Sequence, residues 1–253
     1  MSTPESSRKF DAIICDVDGC LQPEHHSPLH AHALVKIADH NRRAQTYKDR
    51  PVITLCTGRP IGYVEALCRL IANETLPVMA ENGVWLWHPD TNTYARDPRI
   101  TNLAARQVRD AVDWVRLKFR DEPMLIQPGK DFSFSLMPPS PAMIPTIEAT
   151  LRAQFTAAAW PLRVSSTHLW INCDLDFVSK ATAIDRFCAH TGLTKDRLAG
   201  IGDTAHDKAI KDSVAWFACP ANATDAIKPH ADYISPEEEI EGVLDIIERV
   251  ASL

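Results

Sequence analysis

The sequence has no run approaching the roughly 20 consecutive apolar residues that a membrane helix needs, so no spanning segment is expected. It also has no excess of basic residues. Lys and Arg number 27 against 33 Asp and Glu, a formal net charge of -6, and the pI is about 5.9. A nucleic-acid partner would call for a basic face, so none is expected. None of the seven cysteines (Cys15, Cys20, Cys56, Cys68, Cys173, Cys188 and Cys219) lies in a CxxC pair. The odd count argues against a disulfide framework, and no ligand spacing suggests zinc. Cys15 and Cys56 fall in apolar runs and are expected to be inert buried thiols. These features together favour a reducing cytoplasm. Repeats and low-complexity tracts are absent. The opening MSTPESSRKF is polar and is expected to be a frayed tail rather than a secretory signal. Neither the six tryptophans nor the His25-His26 pair shows ligand spacing.

What is present is an ordinary globular composition, 45% hydrophobic and 24% charged, over a length that suits one large domain or two smaller ones. The first third alternates strand and helix. FDAIICDVD, PVITLCTG and LPVMAENG are short buried strands, each closed by polar residues and glycine. A helix is expected from Pro28 to Tyr47, with Leu34, Val35, Ile37 and Ala38 on one side, and another over Gly62 to Ala72. The middle reads differently. A hairpin is expected in VWLWHPDTNTYAR, turning at Pro89-Asp90-Thr91-Asn92. Thr101 caps an expected helix to about Arg120, with Leu103, Val108, Val112, Val115 and Leu117 as its apolar side. Two strands around Pro128-Gly129, a helix over Pro141 to Ala159, and two strands in LRVSSTHLWINCDL follow. The last third returns to alternation. A helix over Ser179 to His190 precedes the strands RLAGIGD, AWFACP and DYIS, and an amphipathic helix with acids in its first turn closes the chain. The pattern predicts an α/β fold: a doubly wound, mostly parallel Rossmann-like sheet with an inserted α+β cap of order αββαββ. The core covers residues 1–84 and 177–253, and the cap covers 85–176.

Three apolar strands end in polar clusters: Asp16-Val17-Asp18-Gly19, Thr57-Gly58-Arg59 and Gly202-Asp203. The carboxyl ends of parallel strands form the ligand crevice of an open sheet. Acids gathered there repel one another unless a cation sits among them. Hard oxygen ligands favour magnesium over zinc, and Lys180 supplies a balancing ammonium. The spacing of two puts Asp16 and Asp18 on one face of an extended strand end.

These clusters resemble the four motifs of the haloacid dehalogenase-like superfamily, whose members are mostly phosphatases. The match is DVDGCL, CTGR, Lys180 and GDTAHD, in family order from Asp16 to Asp207. AENG at residues 80–83 and ACPANATDAIKPHADYIS from Ala218 resemble the subgroup whose α/β cap lies between the second and third motifs. The resemblance covers essentially the whole chain and implies a magnesium-dependent phosphatase acting on a small phosphorylated metabolite, either a sugar phosphate or a phosphoglycolate-like acid. It implies that Asp16 is the nucleophile and carries the phosphoryl group. It implies that Asp18 is the general acid and base, and that its carbonyl ligates the metal beside Asp16. Thr57 and Gly58 hold the phosphoryl oxygens, and Lys180 stabilises their charge. Asp203 ligates magnesium directly, and Asp207 ligates it or orients a bound water. Arg59 either touches substrate or pairs with an acid. Asn82 and Asn222 either line the site or are turn residues.

His206 stands where relatives often have Asn, and Cys20 where Thr is commoner. His168 and Trp170 fall in a cap strand, where one of them could face the substrate, though a packed core position is the first expectation. The basic residues along the first cap helix read as a solvated face. Two other functions fit the motifs. A phosphomannomutase-like enzyme would need clustered cap arginines, yet the cap strands carry only Lys130 and Arg163 at or beside them. A non-catalytic binding protein of this fold would have lost the nucleophile or its partners, and all are present. A monomer or homodimer is expected, with no membrane partner.

Overall fold

The computed structural model describes residues 8–24 and 27–253; most of the expected frayed tail, residues 1–7, and the His25-His26 pair lie outside them. The tail expectation fails at its inner end, because Phe10 is buried in the core and Arg8 pairs with Asp11 at 2.8 Å.

The chain opens with β1 (Ala12–Cys15), α1 (Ala31–Tyr47), β2 (Val52–Leu55), α2 (Ile61–Leu70) and β3 (Val78–Ala80). The hairpin β4 (Trp85–His88) and β5 (Thr93–Arg96) follows. Next come α3 (Asn102–Lys118), β6 (Leu125–Ile126), β7 (Ser133–Met137), α4 (Ile144–Ala157), β8 (Leu162–Ser166) and β9 (Ile171–Leu175). The chain closes with α5 (Lys180–Thr191), β10 (Leu198–Ile201), α6 (Lys208–Lys211), β11 (Trp216–Cys219), β12 (Tyr233–Ile234) and α7 (Glu239–Ala251).

Five strands form a parallel sheet in the order β12-β11-β10-β1-β2. Both faces of β1 are covered, as its unbroken apolar run demands. Ile13 and Cys15 pack with α1, α2 and α7, while Ala12 and Ile14 pack with α5 and α6. A single parallel bridge, Cys56 to Met79, carries the sheet on to β3, and the hairpin continues it antiparallel. Leu86 and Trp87 are buried in these core clusters. The hairpin thus packs with the core before the chain enters α3.

The cap is a four-stranded antiparallel sheet, β6-β7-β9-β8, covered on one face by α3 and α4. Thr101 caps α3 by accepting from Ala104 N. The apolar face of α3 is narrower than expected. Ala104, Ala105, Val108, Ala111 and Val115 are buried, whereas Leu103 and Leu117 are exposed. Likewise Val35 of α1 is exposed, and Ala44 takes the inward position. In both helices alanines share the buried face with larger apolar residues, Leu34 and Ile37 in α1 and Val108 and Val115 in α3. The described cysteines are all free and, except Cys188, buried. Burial pushes the Cys56 thiol up to about 12, in keeping with an inert thiol. Among the described residues, no helix is long and apolar enough to cross a membrane.

Candidate active site

Four of the expected residues meet at the carboxyl ends of β1 and β10. Asp16 follows β1 directly, and its carboxylate accepts Val17 N at 2.8 Å and Lys180 Nζ at 2.8 Å. Lys180 is the first residue of α5, whose N-terminus is fixed by a Ser179/Thr182 capping box. Its ammonium also reaches Asp207 Oδ1 at 2.6 Å. The other Asp207 oxygen accepts Asp203 N at 3.0 Å, Thr204 N at 2.9 Å and Thr204 Oγ1 at 3.1 Å. Asp207 is thus saturated and holds the loop after β10 in place. Carboxylate oxygens of Asp16, Asp203 and Asp207 lie within 4.8 Å of one another. The helix dipole opposes a lysine at this position, and two carboxylates offset that cost.

The charges do not balance with Lys180 alone. Burial and then Asp207 push the Asp16 carboxyl up to about 7, against the pull of Lys180. Burial, Asp207 and Asp16 push Asp203 up to about 9. Burial works against an ionised Asp207 too, but Lys180 and two backbone amides hold it below the usual carboxylate range. Burial lowers Lys180, yet Asp16 and Asp207 raise it well above an ordinary lysine. The only hydrogen bond to the Asp203 carboxylate among the described residues is a long thiol contact from Cys20 at 3.9 Å. An all-oxygen cluster with one underemployed acid fits a small hard cation. No hydrogen bond among the described residues ends on the Asp18 carbonyl, so that oxygen too is open.

The Asp18 side chain lines the same cavity but is not part of this close cluster. Arg59 grips it through Nε at 2.8 Å and also through Nη2, and Gln22 Nε2 donates to it at 2.6 Å. Of the two expectations for Arg59, the structure shows the acid pair, at the edge of the same cavity. Thr57 is buried, with its hydroxyl accepting from Arg59 N at 3.2 Å. At Gly58 a Cβ would come within 3.3 Å of the Asn82 amide. Asn82 is both a turn residue, at φ 54°, and a wall residue, donating to Asp174 Oδ2 at 3.1 Å across the core–cap junction. Asn222 is a brace and not a wall residue. It donates to Gly19 O at 2.8 Å and accepts Glu239 N at 2.7 Å, tying the loop after β1 to the start of α7. The exposed His206 stands at the cavity mouth.

Core and cap enclose a cavity of about 380 Å³, with Asp16, Asp18, Thr57, Lys180 and Asp203 on its floor. That volume suits a small molecule. The roof is the polar face of the cap sheet: Gln127, Lys130, Arg163, Ser165, Asn172 and Asp174, with Thr167 and Trp170 from the turn between β8 and β9. Trp170 is half-buried at the cavity rather than packed in the cap core. His168 is exposed in the same turn, outside any strand. The roof residues of the strands were within reach of a period-two reading. In INCDL, Ile171, Cys173 and Leu175 are the apolar set, which leaves Asn172 and Asp174 on the other face.

A family model described as haloacid dehalogenase-like hydrolase matches residues 144–247. Solved structures share the fold along nearly the whole chain. One, from Thermoplasma acidophilum, is 20% identical, with a TM-score of 0.71, over 97% of this chain and 100% of that one. A putative HAD/COF-like hydrolase from Plasmodium vivax is 16% identical, with a TM-score of 0.75, over 97% and 96%. The sucrose-phosphatase of Synechocystis, in complex with sucrose and phosphate, is 15% identical, with a TM-score of 0.67, over 96% and 98%. At these identities the likeness establishes the fold. Residues 144–247 thus resemble a haloacid dehalogenase-like hydrolase, and the fold of nearly the whole chain is shared with solved structures that include such hydrolases.

Proposed function

We infer that the protein is a magnesium-dependent phosphatase of a small phosphorylated metabolite, working through a phospho-aspartate on Asp16. One observation carries this reading: Asp16 lies at the cavity floor, touching Lys180 at 2.8 Å and clustered with Asp203 and Asp207. Asp16, Asp203 and the Asp18 carbonyl would hold the cation, with Asp207 behind them. Magnesium bound there would offset the repulsion between an anionic carboxylate and an anionic phosphate. The chain does the rest. An Asp16 oxygen attacks phosphorus, and the bond to the leaving oxygen breaks in line with it. Lys180 and the Thr57 hydroxyl receive the charge on the phosphoryl oxygens. Asp18 gives its proton to the leaving oxygen, then takes one from the water that hydrolyses the acylphosphate. In the present arrangement Arg59 and Gln22 hold Asp18 aside, so Asp18 turns inward once substrate competes for Arg59. The cap excludes water during transfer and reads the leaving group. The site has the scale of a soluble metabolite rather than a nucleic acid or membrane, and a cytoplasmic location goes with this reading.

Release of phosphate from p-nitrophenyl phosphate with magnesium tests it. Asp16→Asn is expected to lower kcat by at least about 10³-fold, and Asp18→Asn by roughly 10² to 10⁴-fold. Chelator is expected to abolish turnover. Unchanged turnover in Asp16→Asn would end the proposal. A hexose 1-phosphate with a bisphosphate activator distinguishes a mutase, which would yield the isomer instead of free phosphate. A substrate screen ranked by kcat/KM then reports discrimination in the transition state.

A further inference from the structure

Asp18 is held by a set of side chains that reaches beyond the cavity. Its Oδ1 accepts from Gln22 Nε2 at 2.6 Å, and its Oδ2 accepts from Arg59 Nε at 2.8 Å. Arg59 Nη2 also donates to Oδ1. The Gln22 backbone closes the turn after β1, giving its N–H to Val17 O at 3.0 Å and accepting Gly19 N at 2.8 Å. Gln22 is buried. A carboxylate only accepts, so the Gln22 amide must turn its NH2 group toward Asp18 and its oxygen away. That oxygen accepts the Tyr63 hydroxyl. Tyr63 is the third residue of α2, and the Arg59 guanidinium lies over its ring, 5.5 Å from the centroid. One tyrosine thus touches both arms of the grip on Asp18. Neither Gln22 nor Tyr63 lines the cavity, so both act through other residues.

We propose that Gln22 and Tyr63 are positioning residues for proton transfer by Asp18: Tyr63 fixes the Gln22 amide, and Gln22 holds Asp18 Oδ1 while Oδ2 delivers the proton. This rests on the phosphatase reading and adds two residues that lie outside the four motifs. When substrate draws Arg59 off, Oδ2 is freed and Oδ1 keeps a neutral donor. A neutral amide fixes the carboxyl without the full positive charge that would favour its ionised form. Oδ2 then gives its proton to the leaving oxygen as the bond from phosphorus to that oxygen breaks. It takes a proton back from the water that attacks the acylphosphate. Without the Tyr63 hydroxyl the amide is free to flip, and its oxygen would then face the Asp18 carboxyl, acceptor against acceptor.

The test uses the full chain with magnesium on aryl phosphates of rising leaving-group acidity: phenyl, p-nitrophenyl and 2,4-dinitrophenyl phosphate. The quantity compared is kcat/KM, which covers the step in which the leaving group departs. A dinitrophenolate leaves with little need of a proton, whereas phenol needs one. Tyr63→Phe and Gln22→Met keep the bulk and lose the hydrogen bonds. Each is expected to lose about 10- to 100-fold on phenyl phosphate and less than about threefold on the dinitrophenyl ester. Added to Asp18→Asn, neither should lower kcat/KM on phenyl phosphate by more than about threefold, because the proton donor they position is already gone. A loss of equal size on all the esters, or a full further loss on top of Asp18→Asn, marks a merely structural role and overturns the proposal. Crystal structures of the wild type and Tyr63→Phe separate this from the phosphatase reading. A wild type that turns over no ester, with Asp18 displaced in Tyr63→Phe, sinks the phosphatase and leaves the hold of Tyr63 and Gln22 on Asp18 standing. Wild-type turnover with Asp18 unmoved and rates unchanged in the variants sinks the positioning alone. An unmoved Asp18 without turnover sinks both.

Discussion

Gly19 stands at φ +71°, and a Cβ built there would lie 2.0 Å from Asp203 Oδ2. The turn after Asp18 thus needs glycine twice, for its left-handed backbone and for the carboxylate pressed against it. Gly19→Ala is expected to push Asp203 out of the cluster. A misplacement on that scale costs roughly 10²-fold in turnover, and the backbone strain costs about 1–3 kcal/mol of stability. Magnesium titration of the activity and urea unfolding measure the two. Gly62 is the counter-case. It is the second residue of α2, and a Cβ there meets nothing within 4 Å. Gly62→Ala is expected to stabilise by about 0.4–1 kcal/mol by restricting the unfolded chain, with activity unchanged. The same substitution thus takes opposite signs at two glycines. The motif does not reveal the second need at Gly19, because the approach of Asp203 from 184 residues later leaves no local trace.

Among the elements, the turn from β3 into the hairpin does most to join core and cap. Glu81, Asn82 and Gly83 all have positive φ, at 47°, 54° and 112°. Asn-Gly is a familiar pair for such backbone, so the turn itself was legible in AENG. The partner of Glu81 was not. Its carboxylate, fully buried, accepts Asp131 N at 3.0 Å, Phe132 N at 3.2 Å and Ser133 Oγ at 3.0 Å. These donors belong to the cap segment that follows Lys130, some 50 residues along the chain, beyond any periodicity. Burial outweighs the three donors and pushes the Glu81 carboxyl up to about 7 from 4.5. The sign follows from proton counting. Between pH 4.5 and about 7 the unfolded chain loses this proton while the folded chain keeps it. Stability therefore falls as pH rises through that window, by on the order of 3 kcal/mol from this group, and the group adds no slope outside it. Glu81→Gln is expected to flatten that portion of the curve. Urea midpoints of both proteins between pH 4.5 and 7.5 check it, and parallel curves would count against it.

For the whole molecule, function depends on two hydrophobic cores of different origin meeting at one cavity. The cavity floor was legible because parallel strands of one sheet end on one side, so Asp16, Thr57 and Asp203 had to converge wherever the strands paired. Lys180 was marked by the resemblance to the third motif, since a lysine at a helix start is by itself ordinarily solvated. The polar roof was not legible as a site, because nothing local fixes how the cap sits on the core, even though strand alternation marks Asn172 and Asp174 as one face. This difference bears on stability as well as specificity. Burial first, and then repulsion among the acids, raises the Asp16 and Asp203 carboxyls in the folded core, and the unfolded chain relieves both. A divalent cation that binds only the folded cluster therefore stabilises it by mass action. Magnesium at about 100 times its dissociation constant adds about 2.7 kcal/mol, a rise in Tm of roughly 5–10 °C for a chain of this size. Chelator should reverse the rise. Asp203→Asn should abolish it, since that carboxylate has no other strong partner, whereas Asp174→Asn should keep it, because the roof takes no part in holding the cation. A wild-type Tm indifferent to magnesium, measured by differential scanning fluorimetry, would remove the cation from the floor and with it the reason for three buried acids to share one place.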